Sequence, residues 1–361
     1  MTASPVMPQP PDLAAARAGV GTVLHGFLQA KAASASAHGL PEDAPRVLRD
    51  FLDAGGKRLR PLLCVIGWHA AGGHGEEGPV VRAAAALEMF HTFCLIHDDV
   101  MDHSATRRGR PTVHRALATR YRAGRSATAA DRLGSGTAIL IGDLALAWSD
   151  ELLHTAGLTA RQLAAVLPLI DRMRNEVMYG QYLDLAATGN PSTDLPLALA
   201  ICRYKTAKYT VERPLHIGAT LAGADTDLHA ALSDFALPLG ESFQLRDDLL
   251  GVFGTQAHTG KPVLDDLRDG KHTPLVALAL QRAAPAQAAQ LRLLLGCPHL
   301  TDDQAAVARN IITATGARDT IEQMITDRRQ QAERALTHSP IPPATAAVLR
   351  HLAHTATRRT A

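Results

Sequence analysis

Apolar and polar residues alternate along most of the chain with the period of an amphipathic α-helix. Helical spacing predicts helices over residues 13 to about 37, 41–53 and 170–187, one starting near residue 196, and one over about 228–253. Loops are predicted at residues 123–136 and 254–271, and no strand-like alternation or fixed repeat recurs. The pattern predicts one all-α domain, residues 13–361, after a disordered Pro-rich tail at residues 1–12.

The strongest candidate chemistry lies at the predicted end of a helix within residues 91–114. Asp98 and Asp102 fall one turn apart on one helix face, where their charges repel. Magnesium would favour that arrangement, because it takes oxygen ligands from one or two carboxylates and from substrate phosphates. Arg107 and Arg108 follow closely, and guanidinium groups match phosphate oxygens. The stretch predicts a magnesium and diphosphate site, with a solvated acidic surface as the alternative reading of so short a motif.

Two other charged clusters stand out. Lys57, Arg58 and Arg60 surround a Gly-rich turn before an apolar helix, where they could hold an anion or be solvated. Asp247 and Asp248 lie in an apolar segment, where unpaired carboxylates are costly to bury. A metal ion or another cationic partner is therefore expected beside this second pair.

Two predicted helices carry further polar residues. Gln181 and Asp184 are three residues apart, so they point the same way. Lys205, Thr206 and Tyr209 lie on the helix that starts near residue 196.

Composition narrows the class of protein. The 361 residues are 46% apolar and 4% aromatic, with a net charge of +2, so no global field attracts nucleic acid or an anionic membrane. The four cysteines form no CxxC pair, which is typical of reduced packing residues. The N-terminus lacks the pattern of a secretory signal, and the apolar runs are too short to span a bilayer. We therefore expect a cytoplasmic protein with no nucleic-acid partner and no integral membrane segment.

In order along the chain, these motifs resemble the trans-isoprenyl diphosphate synthases, also called the polyprenyl synthetase family, over roughly residues 55–275. The resemblance implies an isoprenoid-synthase-type helical bundle around a deep central cavity, a homodimer, and three magnesium ions (Mg2+) per active site. The implied reaction joins isopentenyl diphosphate head-to-tail to an allylic diphosphate.

The same resemblance implies roles for individual residues. The metal ligands would be Asp98, Asp102 and Asp247, with Asp99 and Asp248 in support. The isopentenyl diphosphate site would contain Lys57, Arg60, His91 and Arg108. The allylic diphosphate would meet Arg107, Lys205, Lys261 and Lys271. The reacting centre would be lined by Thr206, Tyr209, Phe243 and Gln244.

Physical chemistry agrees with such a site. Breaking the allylic carbon–oxygen bond leaves diphosphate and a carbocation, so metal ions and lysines that stabilise the departing charge lower the barrier. Holding the isopentenyl double bond against the cation supplies the remaining acceleration. No protein nucleophile is required, because the proton lost afterwards could go to the departing diphosphate.

The sequence departs from the family pattern in its second motif. That motif usually runs DDxxD, whereas here Gly251 takes the last position. The literal DDxxD at residues 265–269 aligns with the family segment before Lys271, where Asp266 is the functional member and Asp265 and Asp269 are surface charges. Residues 254–261 approximate a nucleotide-binding P-loop, but the spacing is one residue too long and Pro262 replaces Ser or Thr.

Product length depends, by resemblance, on the residues just before the first motif. Phe93 and Cys94 stand five and four residues before Asp98. A large aromatic residue followed by a small residue at these two positions resembles the pattern of short-chain enzymes that stop at geranylgeranyl diphosphate, C20. Aromatic residues at both positions would suggest farnesyl diphosphate, C15, and two small residues a longer chain. Cys94 lies nearer the line of Asp98 and Asp102 on a helical wheel, so Phe93 as an ordinary core residue stays an alternative.

Two other functions are compatible with part of the pattern. A terpene cyclase also ionises a prenyl diphosphate with aspartate-bound magnesium, but it has no use for the predicted isopentenyl diphosphate site. A non-catalytic partner subunit typically loses the first aspartates, which are present here. The complete set of motifs favours the synthase.

Overall fold

The computed structural model describes residues 11–254 and 264–357, and these residues are almost entirely helical. The helices of the first part are α1 (Leu13–Ala37), α2 (Asp43–Asp53), α3 (Leu59–Ala70), α4 (Gly78–Met101), α5 (Val113–Arg120), α6 (Ala127–His154) and α7 (Ala160–Ala187). Two-residue strands β1 (Thr106–Arg107) and β2 (Arg110–Pro111) form an antiparallel hairpin between α4 and α5.

The second part begins with a long helix in three segments, α8 (Leu195–Ile201), a π-helix (Cys202–Glu212) and α9 (Arg213–Leu221). The helices that follow are α10 (Thr226–Phe253), α11 (Asp265–Asp269), α12 (Pro274–Arg282), α13 (Pro285–Leu294), α14 (Asp302–Ala314), α15 (Ala317–Ala335) and α16 (Pro343–Thr357). The all-α prediction is confirmed, and the hairpin is a small addition to it.

Several predicted boundaries are wrong for identifiable reasons. The loop predicted at residues 123–136 ends early, because Ser126 caps α6 by accepting a hydrogen bond from the Ala129 backbone at 3.2 Å. Helix α7 begins well before residue 170, because Thr159 and Gln162 cap it reciprocally. The loop predicted at residues 254–271 contains α11. Of the tail predicted at residues 1–12, only Pro11 and Asp12 are described, and Asp12 caps α1.

The described residues group into two compact units. The N-terminal unit comprises Asp12–Val65 and His74–Leu163, and its centre is α4, which packs on α6 and α1. The C-terminal unit comprises Ile66–Gly73 and the described part of Ala164–Ala361, and its centre is α10, which packs on the π-helix and α15. The expectation of a single domain stays a prediction.

Helix α4 is apolar on nearly every side. Among the described helices it is the one long and apolar enough to cross a membrane, with a mean hydropathy of 1.3 over its most apolar window. However, 67% of that window is buried inside the protein. A mostly buried helix of this kind is typical of a protein core. Packing of its apolar side chains fixes the position of the polar residues at its end.

The π-helix is held by close backbone contacts in the C-terminal unit. A Cβ atom on Gly180 of α7 would lie 2.4 Å from the backbone nitrogen of Lys205. A Cβ on Gly240 of α10 would lie 2.5 Å from the Cα of Ala207. Glycine at both positions therefore lets two helices approach the π-helix closely. Such widened turns occur frequently at functional sites.

Candidate active site

The first aspartates lie in the N-terminal unit, where α4 ends. Asp102 is the C-cap residue of α4, and its backbone N–H donates to the carbonyl oxygen of Asp98 at 2.8 Å. The Asp98 side chain is 20% exposed, and Asp102 is half-buried. Asp99 is buried, with 1% of its side chain exposed. Two partly exposed carboxylates thus lie one turn apart at the helix end, while the third is buried.

Arg107 holds the buried carboxylate in place. Its Nε donates to both carboxylate oxygens of Asp99, at 2.9 and 2.8 Å, and its Nη2 lies 3.1 Å from Asp98 Oδ2. Burial alone would lower the pKa of Arg107, but the hydrogen bond to Asp99 and the charges of Asp99, Asp98 and Asp102 raise it above its ordinary value. Arg107 is therefore a fixed positive charge that orients the aspartates.

The β1–β2 hairpin places the arginines. Its two-residue loop is Arg108–Gly109, and both residues have positive φ, 53° and 73°, as in a type I′ turn. Arg108 Nη1 donates to the carbonyl oxygen of Gly55, and its guanidinium carbon lies 5.8 Å from the centre of the Phe51 ring. The hairpin thus brings Arg108 to the Gly-rich turn before α3.

Four arginines surround His91. Burial first, and then the charges of Arg60, Arg107, Arg108 and Arg58, lower the pKa of His91 well below its ordinary value. His91 is therefore a neutral imidazole in a positively charged cluster at neutral pH. A cluster of this kind suits a diphosphate, which it can bind through guanidinium donors.

Arg58 and Lys57, two cations of the Gly-rich turn before α3, differ in burial and in contacts. Arg58 is largely buried and pairs with Glu88 of α4 at 3.1 Å, while also donating to the carbonyl oxygen of Leu52 at 3.2 Å. Lys57 is exposed. Arg58 therefore anchors the turn to α4, whereas Lys57 is accessible to a ligand.

The residues predicted to set product length lie on α4. Phe93 is buried, and the centre of its ring lies 5.5 Å from that of Phe90 and 4.7 Å from that of His97. His97 in turn donates from Nε2 to the carbonyl oxygen of Ile139 on α6 at 3.1 Å. Cys94 is half-buried. Phe93 is therefore held between two rings, one of which is fixed to the neighbouring helix.

In the C-terminal unit, Asp184 brings two predicted lysines together. Its carboxylate Oδ2 lies 2.6 Å from Lys205 Nζ and 3.5 Å from Lys271 Nζ. Asp184 is buried, and one turn earlier on α7 the buried Nε2 of Gln181 has no hydrogen-bond partner within the part of the chain that the structure describes. Sequence reasoning noticed the spacing of Gln181 and Asp184 but missed Asp184 as the anchor of these lysines.

A hydrogen-bonded chain connects the π-helix to the second aspartate pair. Thr206 Oγ1 donates to Gln244 Oε1 at 2.6 Å, and Gln244 Nε2 donates to Asp248 Oδ1 at 2.7 Å. Tyr209 is buried, and Phe243 is half-buried on α10. Gln244 is thereby fixed in orientation, with its amide oxygen toward the threonine and its amide nitrogen toward the aspartate.

The second aspartate pair lies among other carboxylates. Burial raises the pKa of Asp248 well above its ordinary value, the hydrogen bond from Gln244 opposes that shift, and the charges of Asp266, Asp247 and Asp184 raise it further. Asp247 is half-buried beside it. A bound cation would relieve this repulsion, so the C-terminal donor set fits a hard metal ion.

Magnesium also fits the first aspartates. Within residues 11–254 and 264–357, no three His, Cys, Asp or Glu side chains form a ready-made metal cage. Magnesium does not need one, because it commonly uses one or two carboxylates with water and substrate phosphate oxygens. Asp98 and Asp102 are partly exposed oxygen donors of that type, and Asp247 is the less buried member of the second pair.

One predicted ligand is not described. Lys261, together with most of the segment that approximates a P-loop, lies outside the residues that the structure describes. The other predicted residues fall into two groups. The N-terminal unit holds Asp98, Asp99, Asp102, Lys57, Arg60, His91, Phe93, Cys94, Arg107 and Arg108, and the C-terminal unit holds Lys205, Thr206, Tyr209, Phe243, Gln244, Asp247, Asp248 and Lys271.

Comparison with known proteins identifies the family. The family model for polyprenyl synthetases matches residues 42–312. A crystal structure of geranylgeranyl pyrophosphate synthase from Corynebacterium glutamicum, complexed with isoprenyl diphosphate and magnesium, is 41% identical, with a TM-score of 0.92 over 97% of this chain and 100% of that one.

Two further proteins are similar in sequence. Geranylfarnesyl diphosphate synthase of Aeropyrum pernix is 33% identical over 275 residues, 75% of this chain and 80% of that protein. A short chain isoprenyl diphosphate synthase of Methanocaldococcus jannaschii is 33% identical over 264 residues, 73% of this chain and 74% of that protein. Given these matches in sequence and fold, the chain belongs to the polyprenyl synthetase family and is a prenyltransferase of the trans-isoprenyl diphosphate synthase type.

Proposed function

We propose that this prenyltransferase condenses isopentenyl diphosphate with an allylic diphosphate and releases all-trans geranylgeranyl diphosphate, the C20 product. As a short-chain isoprenyl diphosphate synthase, it would stop after few additions. The observation that carries the C20 assignment is the Phe93 ring, packed between Phe90 and His97 and followed by the half-buried Cys94.

Isopentenyl diphosphate would bind to the positive cluster of the N-terminal unit. Arg60, Arg108 and Lys57 supply donors for its diphosphate. His91, kept neutral by burial and by the nearby arginines, would add a hydrogen bond without a further charge. Arg58 would fix this cluster by its ion pair with Glu88 rather than contact the substrate. These residues therefore orient the nucleophilic double bond.

The allylic diphosphate would be activated through its leaving group. Lys205 and Lys271, aligned by Asp184, would bind diphosphate oxygens on which negative charge grows. Arg107 would act mainly by orienting Asp98 and Asp99. Asp98 and Asp102 of the N-terminal unit, and separately Asp247 of the C-terminal unit, would hold magnesium, whose Lewis-acid chemistry would stabilise a departing diphosphate. Each group stabilises charge that develops only as the allylic bond breaks.

Side chains of the π-helix and of α10 would face the carbocation. The fixed amide oxygen of Gln244 and the hydroxyl of Thr206 present partial negative charge, which stabilises a nearby cation. The buried Tyr209 excludes water, which would otherwise quench the cation. After carbon–carbon bond formation, the departing diphosphate is a suitable acceptor for the proton.

The test is an assay with purified protein, magnesium, labelled isopentenyl diphosphate and each allylic starter in turn, with products resolved by chain length. We expect a C20 diphosphate from the wild type and none from Asp98→Ala. Phe93→Ala should lengthen the product. Phe27→Ala, which removes an equal ring packed against Trp148 on a different part of the N-terminal unit, should leave it unchanged.

Other outcomes would refute parts of the proposal. A C15 or C25 product would keep the reaction class and overturn the role of Phe93. An unchanged C20 product from Phe93→Ala would do the same. No incorporation from any starter, with hydrocarbon released from a ready-made prenyl diphosphate, would mean that the protein is a cyclase. Magnesium calorimetry with a non-reactive allylic analogue would check the proposed stoichiometry of three ions per site.

We also propose that the chain forms a homodimer, as its family resemblance implies. Two long helices each expose large apolar side chains at helical spacing. They are Leu133, Leu140 and Leu144 on α6, and Met178, Tyr182 and Leu185 on α7. Light scattering should give twice the 38.3 kDa chain mass, and Leu140→Glu should shift it toward the monomer. A monomeric wild type would refute the dimer.

A further inference from the structure

Six polar side chains form a closed ring of hydrogen bonds and ion pairs inside the C-terminal unit. They come from α7, the π-helix, α9 and α10, so this polar ring joins the helices that carry the proposed allylic site. Its members are Glu176 of α7, Lys208 and Glu212 of the π-helix, Arg213 and His216 of α9, and Ser233 of α10. Glu212, Arg213 and His216 are buried, so the ring is not a solvated surface network.

Arg213 is the centre of the first half of the polar ring. Its Nε and Nη2 donate to the two carboxylate oxygens of Glu176, each at 2.7 Å, and its Nη1 donates to His216 Nδ1 at 3.2 Å. Lys208 Nζ donates to the same Glu176 carboxylate at 3.0 Å. Burial alone would raise the pKa of Glu176, but these hydrogen bonds and charges lower it below its ordinary value. Glu176 is therefore an ionised carboxylate that ties α7 to the π-helix and to α9.

His216 connects the second half of the polar ring. Burial lowers the pKa of His216 to about 4, so its imidazole is neutral at neutral pH. Since Nδ1 accepts from Arg213, the imidazole proton lies on Nε2, which is 3.1 Å from Ser233 Oγ. Ser233 Oγ donates to Glu212 Oε1 at 2.8 Å, and Glu212 Oε2 lies 3.5 Å from Lys208 Nζ. The ring thus closes with two carboxylates balanced by two cations.

A buried ring of this kind fixes orientation more than it adds stability. Replacing a buried ion pair with apolar residues of similar volume is often neutral for stability, because burying the charges removes them from water. The hydrogen bonds are directional, however, so turning the π-helix against its neighbours would leave buried polar groups unpaired. An apolar contact of equal size carries no such penalty. The polar ring therefore selects one orientation of the π-helix relative to α7 and α10.

That orientation determines where Lys205 lies. Glu176, Gly180 and Asp184 are spaced by four residues, so they share one face of α7. A Cβ on Gly180 would lie 2.4 Å from the Lys205 backbone nitrogen, and Asp184 Oδ2 lies 2.6 Å from Lys205 Nζ. Glu176 binds the ring two turns earlier on the same face, about 12 Å along the helix axis from Asp184. One helix face thus holds the π-helix both at the ring and at the lysine.

We propose that the polar ring is a positioning device for the allylic diphosphate site, because fixing the π-helix on α7 and α10 holds Lys205 and Thr206 in place. The inference rests on the proposed function, in which Lys205 binds the departing diphosphate. Arg213 and Glu176 are positioning residues that act through the helix backbone and do not contact the substrate. Their loss should impair the allylic site more than it impairs the fold.

The first test keeps the positive charge and removes the planar guanidinium. In Arg213→Lys, a single ammonium replaces the three donor groups that reach Glu176 and His216. Turnover with a saturating allylic starter should fall about tenfold or more, because a small misplacement of reacting groups is costly in rate. Binding of a non-reactive allylic analogue with magnesium should weaken as well. The melting temperature should fall by only a few degrees, because the charge remains.

The matched control is Ile312→Val, which shortens a fully buried side chain of α14 in the same unit. It should also lower the melting temperature by a few degrees, but it should leave turnover and analogue binding unchanged. Hydrogen–deuterium exchange supplies a measurement that needs no substrate. Amides of Cys202–Glu212 should exchange faster in Arg213→Lys, and near the wild-type rate in Ile312→Val.

A second variant separates positioning from stability. Glu176→Met combined with Arg213→Met removes the buried ion pair as a unit, so the melting temperature should stay near that of the wild type. Turnover should nevertheless remain low, and exchange within Cys202–Glu212 should remain fast, because directional contacts no longer fix the π-helix. A ring that only stabilised the fold would instead give wild-type turnover and exchange in this double variant.

Two results would overturn the inference. The first is wild-type turnover and wild-type exchange in Arg213→Lys. The second is wild-type turnover and exchange in the Glu176→Met, Arg213→Met double variant. Failure of the proposed function would look different, because the wild type would then bind no allylic analogue. The exchange rates of Cys202–Glu212 would still show in that case whether the polar ring fixes the π-helix.

Discussion

The ion pair between Arg107 and Asp99 should make a large contribution to the stability of the N-terminal unit. In Arg107→Gln, the Asp99 carboxylate, 1% exposed, loses its bonds from Nε at 2.9 and 2.8 Å and its contact with Nη2 at 2.7 Å. Breaking one side of a buried ion pair typically costs about 3–5 kcal/mol, because the remaining charge stays buried. We expect a loss of that size in the free energy of unfolding, measured by chemical denaturation.

Removing both charges should restore the fold but not the function. In Asp99→Asn combined with Arg107→Gln, two neutral amides replace the pair, so most of the lost stability should return. Asp98 would still lack the guanidinium at 3.1 Å that orients it, so magnesium-dependent pyrophosphate binding should stay weak. A loss below about 1 kcal/mol in Arg107→Gln, the value of an exposed pair, would refute this reasoning. A double variant as unstable as the single one would refute it as well.

Two further predictions concern packing and pH. Gly180→Ala should lower the free energy of unfolding by about 1–3 kcal/mol and weaken allylic diphosphate binding, because its Cβ would meet the Lys205 backbone at 2.4 Å. Gly26→Ala, with nothing within 4 Å on the exposed side of α1, should instead stabilise by up to about 1 kcal/mol, and the opposite order would refute the packing argument. Burial lowers the pKa of His114 to about 4, so its unfolded form binds the extra proton and stability should fall as pH drops from 6.5 toward 4. In His114→Leu, the free energy of unfolding should fall less between pH 6.5 and 4. An unchanged fall would assign the loss of stability to other groups.

The fold class and the first aspartates could be predicted because each has a periodic signal. Apolar spacing of 3.6 residues persists over long helices, and the same period places Asp98 and Asp102 on one face. The boundaries were less predictable. The sequence could not single out Ser126 and Thr159 as helix caps, because many other Ser and Thr residues in the chain have similar neighbours.

The remaining features depend on tertiary contacts. The β1–β2 hairpin has two residues per strand, too few for an alternating pattern, although Arg108–Gly109 includes the glycine that such turns favour. Among the cations of the basic turn, the sequence could not distinguish Arg58, which pairs with Glu88, from its neighbours. The two lysines on Asp184 come from segments far apart in the chain, so only the fold brings them together.

Because of the π-helix, this part of the chain should be unusually sensitive to the insertion or deletion of a residue. Its i to i+5 hydrogen bonds accommodate an additional residue within Cys202–Glu212. Loss of a single codon there would let the segment relax into a regular α-helix with its backbone bonds intact. The flanking helices α8 and α9 could then keep their register, whereas the side chains within the segment, Lys205 and Thr206 among them, would be redistributed around the helix axis. We therefore expect homologues to conserve the number of residues within Cys202–Glu212.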